Sequence, residues 1–115
     1  MESLAIAKAL GAIAHETRLE VFRLLVQAGP AGLPAGKLAE LTGLAPSSLS
    51  FHLKELVLAE MAGSKQEGRF VIYSARYETM NAVLTYLTEN CCGGNPCSPA
   101  SACCEPEPVG AARRR

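Results

Sequence analysis

The sequence predicts a mainly α fold with one small β-hairpin. Three observations carry this prediction. Apolar residues recur at helical intervals along most of the first 90 positions. Two short runs near the middle, Met61–Lys65 and Phe70–Ser74, flank a turn at 66–69, and the second alternates in the manner of a strand. Before them, Ala35–Leu58 holds two short helical segments separated by the tight turn Thr42–Leu44. At 115 residues, we expect one domain.

Two helices are predicted before this central stretch. The first covers Ser3–Ala14, where small alanines separate the apolar positions Ile6, Leu10 and Ile13. The second runs from about Glu16 to Ala28, with a buried side expected at Leu19, Phe22, Leu25 and Val26. His15 is expected to serve the terminus or the packing of the second helix, and Arg18 to anchor that helix by its charge. Residues 29–34, rich in glycine and proline, are predicted to form a loop.

The central stretch predicts two helices held at a fixed angle. Leu38 and Leu41 share one helical face, and Gly43 gives the backbone the freedom that a tight turn needs. The following helix starts at Pro46, because proline suits the first helical position, although Ala45 is a poor N-cap. Its inner stripe is formed by Leu49, Leu53 and Leu56.

The outer face of this second helix has a composition that suits a DNA major groove. Hydroxyl groups can bond phosphates or base edges, and an aromatic ring can touch a thymine methyl. The alternative interpretation is an ordinary solvated helix face. The residues of this face are Ser47, Ser48, Ser50, Phe51 and Lys54.

A hairpin that follows two such helices forms a wing. Its tip cations, Lys65 and Arg69, are placed to reach phosphates or the minor groove, and the alternative is a solvated tip. The last helix is predicted over Tyr77–Asn90, with an apolar stripe that can face the core of the chain or a partner. That stripe holds Met80, Val83, Leu84 and Leu87.

The segment AGKLAELTGLAPSSLSFHLKEL resembles the helix-turn-helix of the ArsR/SmtB repressors, whose second helix reads P-S-x-(apolar)-S-x-H-L. HETRLEVFRLL (His15–Leu25) and EGRFVIYS (Glu67–Ser74) strengthen the resemblance, which covers roughly residues 1–90. It implies a winged helix-turn-helix repressor that binds palindromic double-stranded operator DNA, with His52 among the DNA contacts. It also implies a homodimer through the first and last helices, which we carry over to Leu4, Leu10, Val83, Leu84 and Leu87.

Composition bounds the partners and the compartment. Eleven cations balance eleven anions, so no strongly basic character points to nucleic acid. No apolar run approaches the ~18 residues that a membrane span needs, and the N-terminus does not have the pattern of a signal peptide. We therefore expect a cytoplasmic protein without a membrane role. In a reducing compartment, five cysteines favour metal or redox chemistry over structural disulfides.

The five cysteines lie at the end of the last predicted helix and in the tail that follows it, where little apolar surface remains to bury. We predict a DNA-binding and dimerisation domain over residues 1–92 and a flexible Gly/Pro/Cys-rich tail over 93–115. Cys91, Cys92 and Cys97 can converge because the intervening Gly-Gly-Asn-Pro lets the chain fold back. Thiolates select soft ions, and As(III) is satisfied by three of them; Sb(III) would behave similarly. Zn(II) prefers four ligands, and Cys103 or Cys104 could complete such a set as extra ligands.

The family comparison favours arsenite. Many arsenic-sensing relatives carry thiols at the start of the helix-turn-helix, where this chain reads AGKLAEL, and relatives that sense zinc or nickel use His and Asp on the last helix, where this chain has neither. The remaining resemblance is to relatives whose arsenite site lies at the end of the last helix and is built from a vicinal cysteine pair and a third cysteine, which implies Cys91, Cys92 and Cys97 as the ligands here. A redox-sensing repressor that forms Cys–Cys bonds is the alternative. A thiol-rich carrier or an enzyme is disfavoured, because no nucleophile–base pair stands out.

Overall fold

The structure, a computed structural model, describes residues 2–90 and Gly93. The elements in chain order are α1 (Ser3–Ile13), α2 (Glu16–Ala28), β1 (Leu33–Pro34), α3 (Ala35–Thr42), α4 (Pro46–Leu58), β2 (Ala62–Glu67), β3 (Phe70–Ala75) and α5 (Tyr77–Thr88). The predicted mainly α fold with a wing hairpin is confirmed. The chain divides into two units, Met1–Val83 and Leu84–Arg115.

The core of the first unit lies where α1, α2, α3 and α4 meet the base of the hairpin. The inner stripe of α4 is confirmed, because Leu49, Leu53 and Leu56 are all buried. Full burial of such a side chain contributes about 1.5–3 kcal/mol, so this stripe fixes which face of α4 remains outside. The other fully buried large side chains are Val21, Leu25, Leu38 and Met61.

The expected buried side of α2 was wrong at one position. Leu19 is 43% exposed, and Val21 is buried in its place beside Phe22 and Leu25. The closest packing of α1 also uses small side chains, since Ala9 and Ala12 are buried with Ile6. Alanines at these positions let the helix approach its neighbours closely.

The turn between α3 and α4 is built by local hydrogen bonds. Gly43 adopts a left-handed conformation with φ 74°, and its N–H donates to the carbonyl of Ala39 at 2.9 Å. The Thr42 hydroxyl donates to the Leu38 carbonyl at 2.8 Å and accepts from the Leu44 N–H at 3.3 Å. This C-terminal cap ends α3 and sets the direction in which the chain enters α4.

A three-stranded antiparallel sheet carries the wing, with strand order β1-β3-β2. In the hairpin, Ala62 pairs with Ala75 and Glu67 with Phe70, which leaves the two-residue turn Gly68-Arg69. The loop predicted at 29–34 was wrong at its end, because Leu33 and Pro34 form β1 and pair with β3. Since β1 runs directly into α3, the sheet is joined to the helix-turn-helix.

The last helix begins with a hydrogen bond to the core of the first unit. The Tyr77 hydroxyl donates to the carbonyl of Val26 at 3.0 Å, near the C-terminal end of α2. Of the second unit, the structure describes residues 84–90 and Gly93. The Thr88 hydroxyl there donates to the Leu84 carbonyl at 2.8 Å. No helix in the described part of the chain is long and apolar enough to cross a bilayer.

Candidate nucleic-acid interface

The start of α4 leaves backbone donors available. Pro46 occupies the first turn, as predicted, and Ala45 at the N-cap has no side chain that can accept a hydrogen bond. The N–H groups of Ser47 and Ser48 therefore have no N-cap side chain that accepts their hydrogen bonds. Such a helix start carries partial positive charge and can bind a phosphate.

The predicted outer face of α4 is exposed. Phe51 is 56% exposed although it is an aromatic residue, and its ring lies edge-on to that of His52 with the centroids 5.6 Å apart. The cation of Lys54 lies one helical turn beyond Ser50 on the same element. The exposed residues of this face are Ser47, Ser48, Ser50, Phe51 and Lys54.

His52 lies differently from these neighbours, because it packs towards α2. Its ring centroid is 5.1 Å from that of His15, and its Nδ1 is buried without a hydrogen-bond partner. A DNA contact by His52 would therefore use Nε2. Burial lowers the pKa of His52 below 6.5, and the nearby charges of His15 and Arg18 lower this pKa further. His52 is thus neutral at pH 7 and adds no cation to the face of α4.

His15 and Arg18, the two residues near His52 in space, hold the start of α2 in place. His15 is the N-cap of α2, as its position before the helix predicted, and its Nδ1 accepts a hydrogen bond from the Thr17 N–H at 3.2 Å. Arg18 anchors α2 to α1 through Nη1, which donates to the Ala12 carbonyl at 3.3 Å. Cations at a helix C-terminus are favourable, so Arg18 stabilises the end of α1.

The wing tip carries one ion pair and one separate cation. Lys65 Nζ lies 3.1 Å from Glu67 Oε2 on the same strand, which offsets the positive charge expected of Lys65. Arg69 is exposed and forms no ion pair with any described residue. Beside it, Phe70 is 61% exposed, a feature that sequence reasoning missed although the ring stands next to the turn.

The residues expected at a dimer interface fall into two groups. Leu4 on α1 is 68% exposed and Leu10 is half-buried, whereas Val83 is buried in the core of the single chain. In the second unit, Leu84 and Leu87 are exposed. A role for these five residues in dimerisation remains a prediction.

The predicted thiol site lies outside the described residues. This applies to the expected ligands Cys91, Cys92 and Cys97 and to the extra cysteines Cys103 and Cys104. Within residues 2–90 and Gly93, no group of three or more His, Cys, Asp or Glu side chains could hold a metal ion.

Comparison with known proteins agrees with this architecture. The helix-turn-helix domain family matches residues 13–61. The HTH-type transcriptional regulator YgaV of Escherichia coli K12 is 31% identical over 86 residues, which cover 75% of this chain and 85% of that protein.

Two solved structures share the fold. An ArsR-like transcriptional regulator from Rhodococcus sp. RHA1 is 26% identical with a TM-score of 0.66, over 74% of this chain and 77% of its own. A homodimeric winged helix-turn-helix DNA-binding domain from Mycobacterium bovis superposes with a TM-score of 0.61 at 20% identity, over 73% and 76%. The exposed helix, the wing and these similarities agree, and the chain belongs to the ArsR family of winged helix-turn-helix transcriptional regulators, which bind DNA.

Proposed function

We propose that this regulator is a homodimeric repressor that leaves its operator when As(III) binds the thiolates of Cys91, Cys92 and Cys97. The observation that carries the proposal is the thiol set itself. In the sequence, a vicinal cysteine pair comes shortly after the last residue of α5, and a third cysteine comes after Gly-Gly-Asn-Pro. A trivalent soft ion is satisfied by three such ligands.

DNA recognition is assigned to α4 and the wing. The exposed hydroxyls of Ser47, Ser48 and Ser50 provide hydrogen bonds to phosphates and base edges, and Lys54 provides a phosphate contact. His52 contributes as a neutral hydrogen-bonding group. At the wing, Lys65 and Arg69 face the DNA backbone. Arg69 is the stronger candidate for a phosphate contact, because Lys65 forms an ion pair with Glu67.

Dimerisation is supported by the exposed leucines and by the homodimeric state of the Mycobacterium bovis domain. An exposed apolar side chain such as Leu4 or Leu87 gains free energy when a partner covers it. Two recognition helices must lie about 34 Å apart, one turn of DNA, to read a palindrome. A dimer that fixes this spacing is therefore what the operator selects.

Release requires that As(III) bind the DNA-incompetent arrangement of the dimer more tightly than the competent one. A preference of ~10⁴-fold, about 5.5 kcal/mol, moves the equilibrium from about 1:99 to about 99:1. Three As–S bonds at the end of α5 can supply such a preference if the thiols converge in only one arrangement. Sb(III) fits the same site, and Cys103 and Cys104 are outside the minimal set.

The test is a DNA-binding titration with the regulator's own upstream region. Fluorescence anisotropy with As(III), Sb(III), Zn(II) and peroxide as separate titrants measures which agent causes release. We expect release by As(III) and Sb(III), and retention on DNA for Cys91→Ser, Cys92→Ser and Cys97→Ser at the same arsenite concentration.

The double variant Cys103→Ser/Cys104→Ser is the matched control and is expected to release like the wild type. If Cys97→Ser releases normally, the three-ligand assignment is wrong. If peroxide but not arsenite causes release, the redox-sensing alternative holds. If only Zn(II) acts, the thiols serve a four-ligand metal site instead.

A further inference from the structure

Two of the three phenylalanines are exposed, and both lie on the elements that bind DNA. Phe22 is buried in the core, whereas Phe51 on α4 and Phe70 on the wing are 56% and 61% exposed. An exposed aromatic ring contributes little to folding. Such a ring gains free energy when a partner surface covers it, so its place on an element proposed to contact DNA makes it a candidate contact.

Phe70 stands at the extreme end of the wing. It is the first residue of β3, directly after the turn Gly68-Arg69, and its register partner is Glu67. Because side chains alternate along a strand, Phe70 shares its sheet face with Ile72, which pairs with Lys65. The opposite face turns towards the core at the base of the hairpin, where Ala62 and Ala75 are buried.

The charge at the tip is small. Lys65 and Glu67 form an ion pair at 3.1 Å, so Arg69 is the net cation of this end of the hairpin. The whole chain is neutral as well, with eleven cations and eleven anions. Affinity of the wing for DNA therefore needs a contribution beyond phosphate neutralisation, and the exposed ring beside Arg69 is suited to provide it.

We propose that Phe70 is an apolar wedge that enters the minor groove of the operator beside Arg69 and partly unstacks one base step. Proteins that bind the minor groove use such apolar side chains in this way, together with arginines that read its potential. The favoured steps are the easily deformed pyrimidine–purine steps TA and CA. The wedge thereby adds sequence preference at bases that receive no hydrogen bond. It rests on operator binding as proposed above.

Replacing the ring and replacing the cation are expected to have different effects on operator binding. Loss of the ring in Phe70→Ala weakens operator binding by about tenfold for each wing, with no change in the slope of log K against log salt, because no charge is removed. Loss of the cation in Arg69→Ala reduces that slope by about 0.9 for each phosphate that the arginine neutralises in the wild type. Phe70→Leu retains an apolar wedge and is expected to keep most of the affinity.

The experiment measures unstacking directly. The full chain binds an operator duplex with 2-aminopurine at the step protected by the wing in footprinting, and the probe brightens when its stacking is lost. We expect brightening with the wild type and Phe70→Leu, and none with Phe70→Ala. Leu41→Ala, which removes a 49% exposed side chain from α3, is the matched control and should behave as wild type. Unchanged unfolding temperatures show that each variant is folded.

Three outcomes would overturn the wedge. The wedge is excluded if Phe70→Ala binds the operator as tightly as the wild type and the 2-aminopurine probe brightens to the same extent. It is also excluded if the salt slope of Phe70→Ala falls as in Arg69→Ala, because the ring would then act only by placing the cation. A wild-type chain that binds no fragment of its upstream DNA refutes operator binding itself, and the wedge with it.

Discussion

Gly32 immediately precedes β1 and has no room for a side chain. Its φ is +75°, and a Cβ added there would lie 2.3 Å from the Tyr73 carbonyl oxygen and 3.0 Å from Ile72 Cγ2. Both neighbours belong to β3, the strand that β1 pairs with. Gly32→Ala must therefore push β1 away from the sheet, besides holding a left-handed conformation.

The cost can be estimated from two parts. A residue with a Cβ in the left-handed region costs about 1–2 kcal/mol. Displacing β1 weakens one or two ladder hydrogen bonds, each contributing about 1 kcal/mol. We expect Gly32→Ala to lower the free energy of unfolding by about 3 kcal/mol, which for a domain of this size lowers Tm by roughly 12–24 °C.

Gly43→Ala provides a matched control. Its φ is +74°, almost the same, and nothing lies within 4 Å of an added Cβ. Only the conformational part applies, so we expect a loss of about 1–2 kcal/mol. Urea unfolding of the wild type and both variants at one protein concentration measures the difference, which should be about 1–2 kcal/mol with unchanged m-values. Equal losses in the two variants would refute the crowding argument and the importance of the β1–β3 contact.

Three further predictions concern α4 and the packing of its neighbours. Ala45→Ser and Ala45→Asp should each raise the free energy of unfolding, measured in urea, by about 1 kcal/mol because either side chain caps α4. Fluorescence anisotropy should show weaker DNA binding for Ala45→Asp alone, because its carboxylate repels phosphates. Burial lowers the pKa of His52 below the unfolded value of 6.5, so the unfolded chain binds more protons and the free energy of unfolding should fall as the pH drops through 6.5. His52→Gln should remove part of that fall in urea titrations. Tyr77→Phe should cost about 1 kcal/mol by removing the 3.0 Å hydrogen bond to Val26, whereas Tyr86→Phe, at an exposed position, should be neutral by the same assay.

Much of the fold could be predicted because local signals agree with tertiary packing. The stripe of α4 is regular, Pro46 marks its start, and Gly43 takes the left-handed conformation that the turn requires. The outward face of this helix followed from the same periodicity. That periodicity states which residues share a face, and here the inner face coincides with the core.

Where several faces of a helix carry apolar residues, periodicity alone did not identify which of those residues are buried. Leu19 and Val21 both lie on α2, and only the neighbouring elements decide that Val21 is buried. β1 escaped prediction because two residues between a glycine-rich turn and a helix carry no alternation, and Leu33 and Pro34 become a strand only through pairing with β3.

The candidate site shows the same limit. The family resemblance implied that His52 contacts DNA, yet its ring packs against His15 at the start of α2 and its Nδ1 is buried. That contact joins residues far apart in the chain, so no local pattern could reveal it. The exposure of Phe70 likewise depends on how far the hairpin extends beyond the core.

The link between β1 and β3 has a consequence for the operator. Because β1 continues into α3, and α4 packs on β2, α4 and the wing are connected within one unit at two places. If α4 and the wing contact the operator as proposed, the distance along the DNA between the bases that each contacts is constant. We therefore expect each proposed half-site to tolerate no insertion between these two groups of bases, whereas the proposed inducer would act on the distance between the two half-sites.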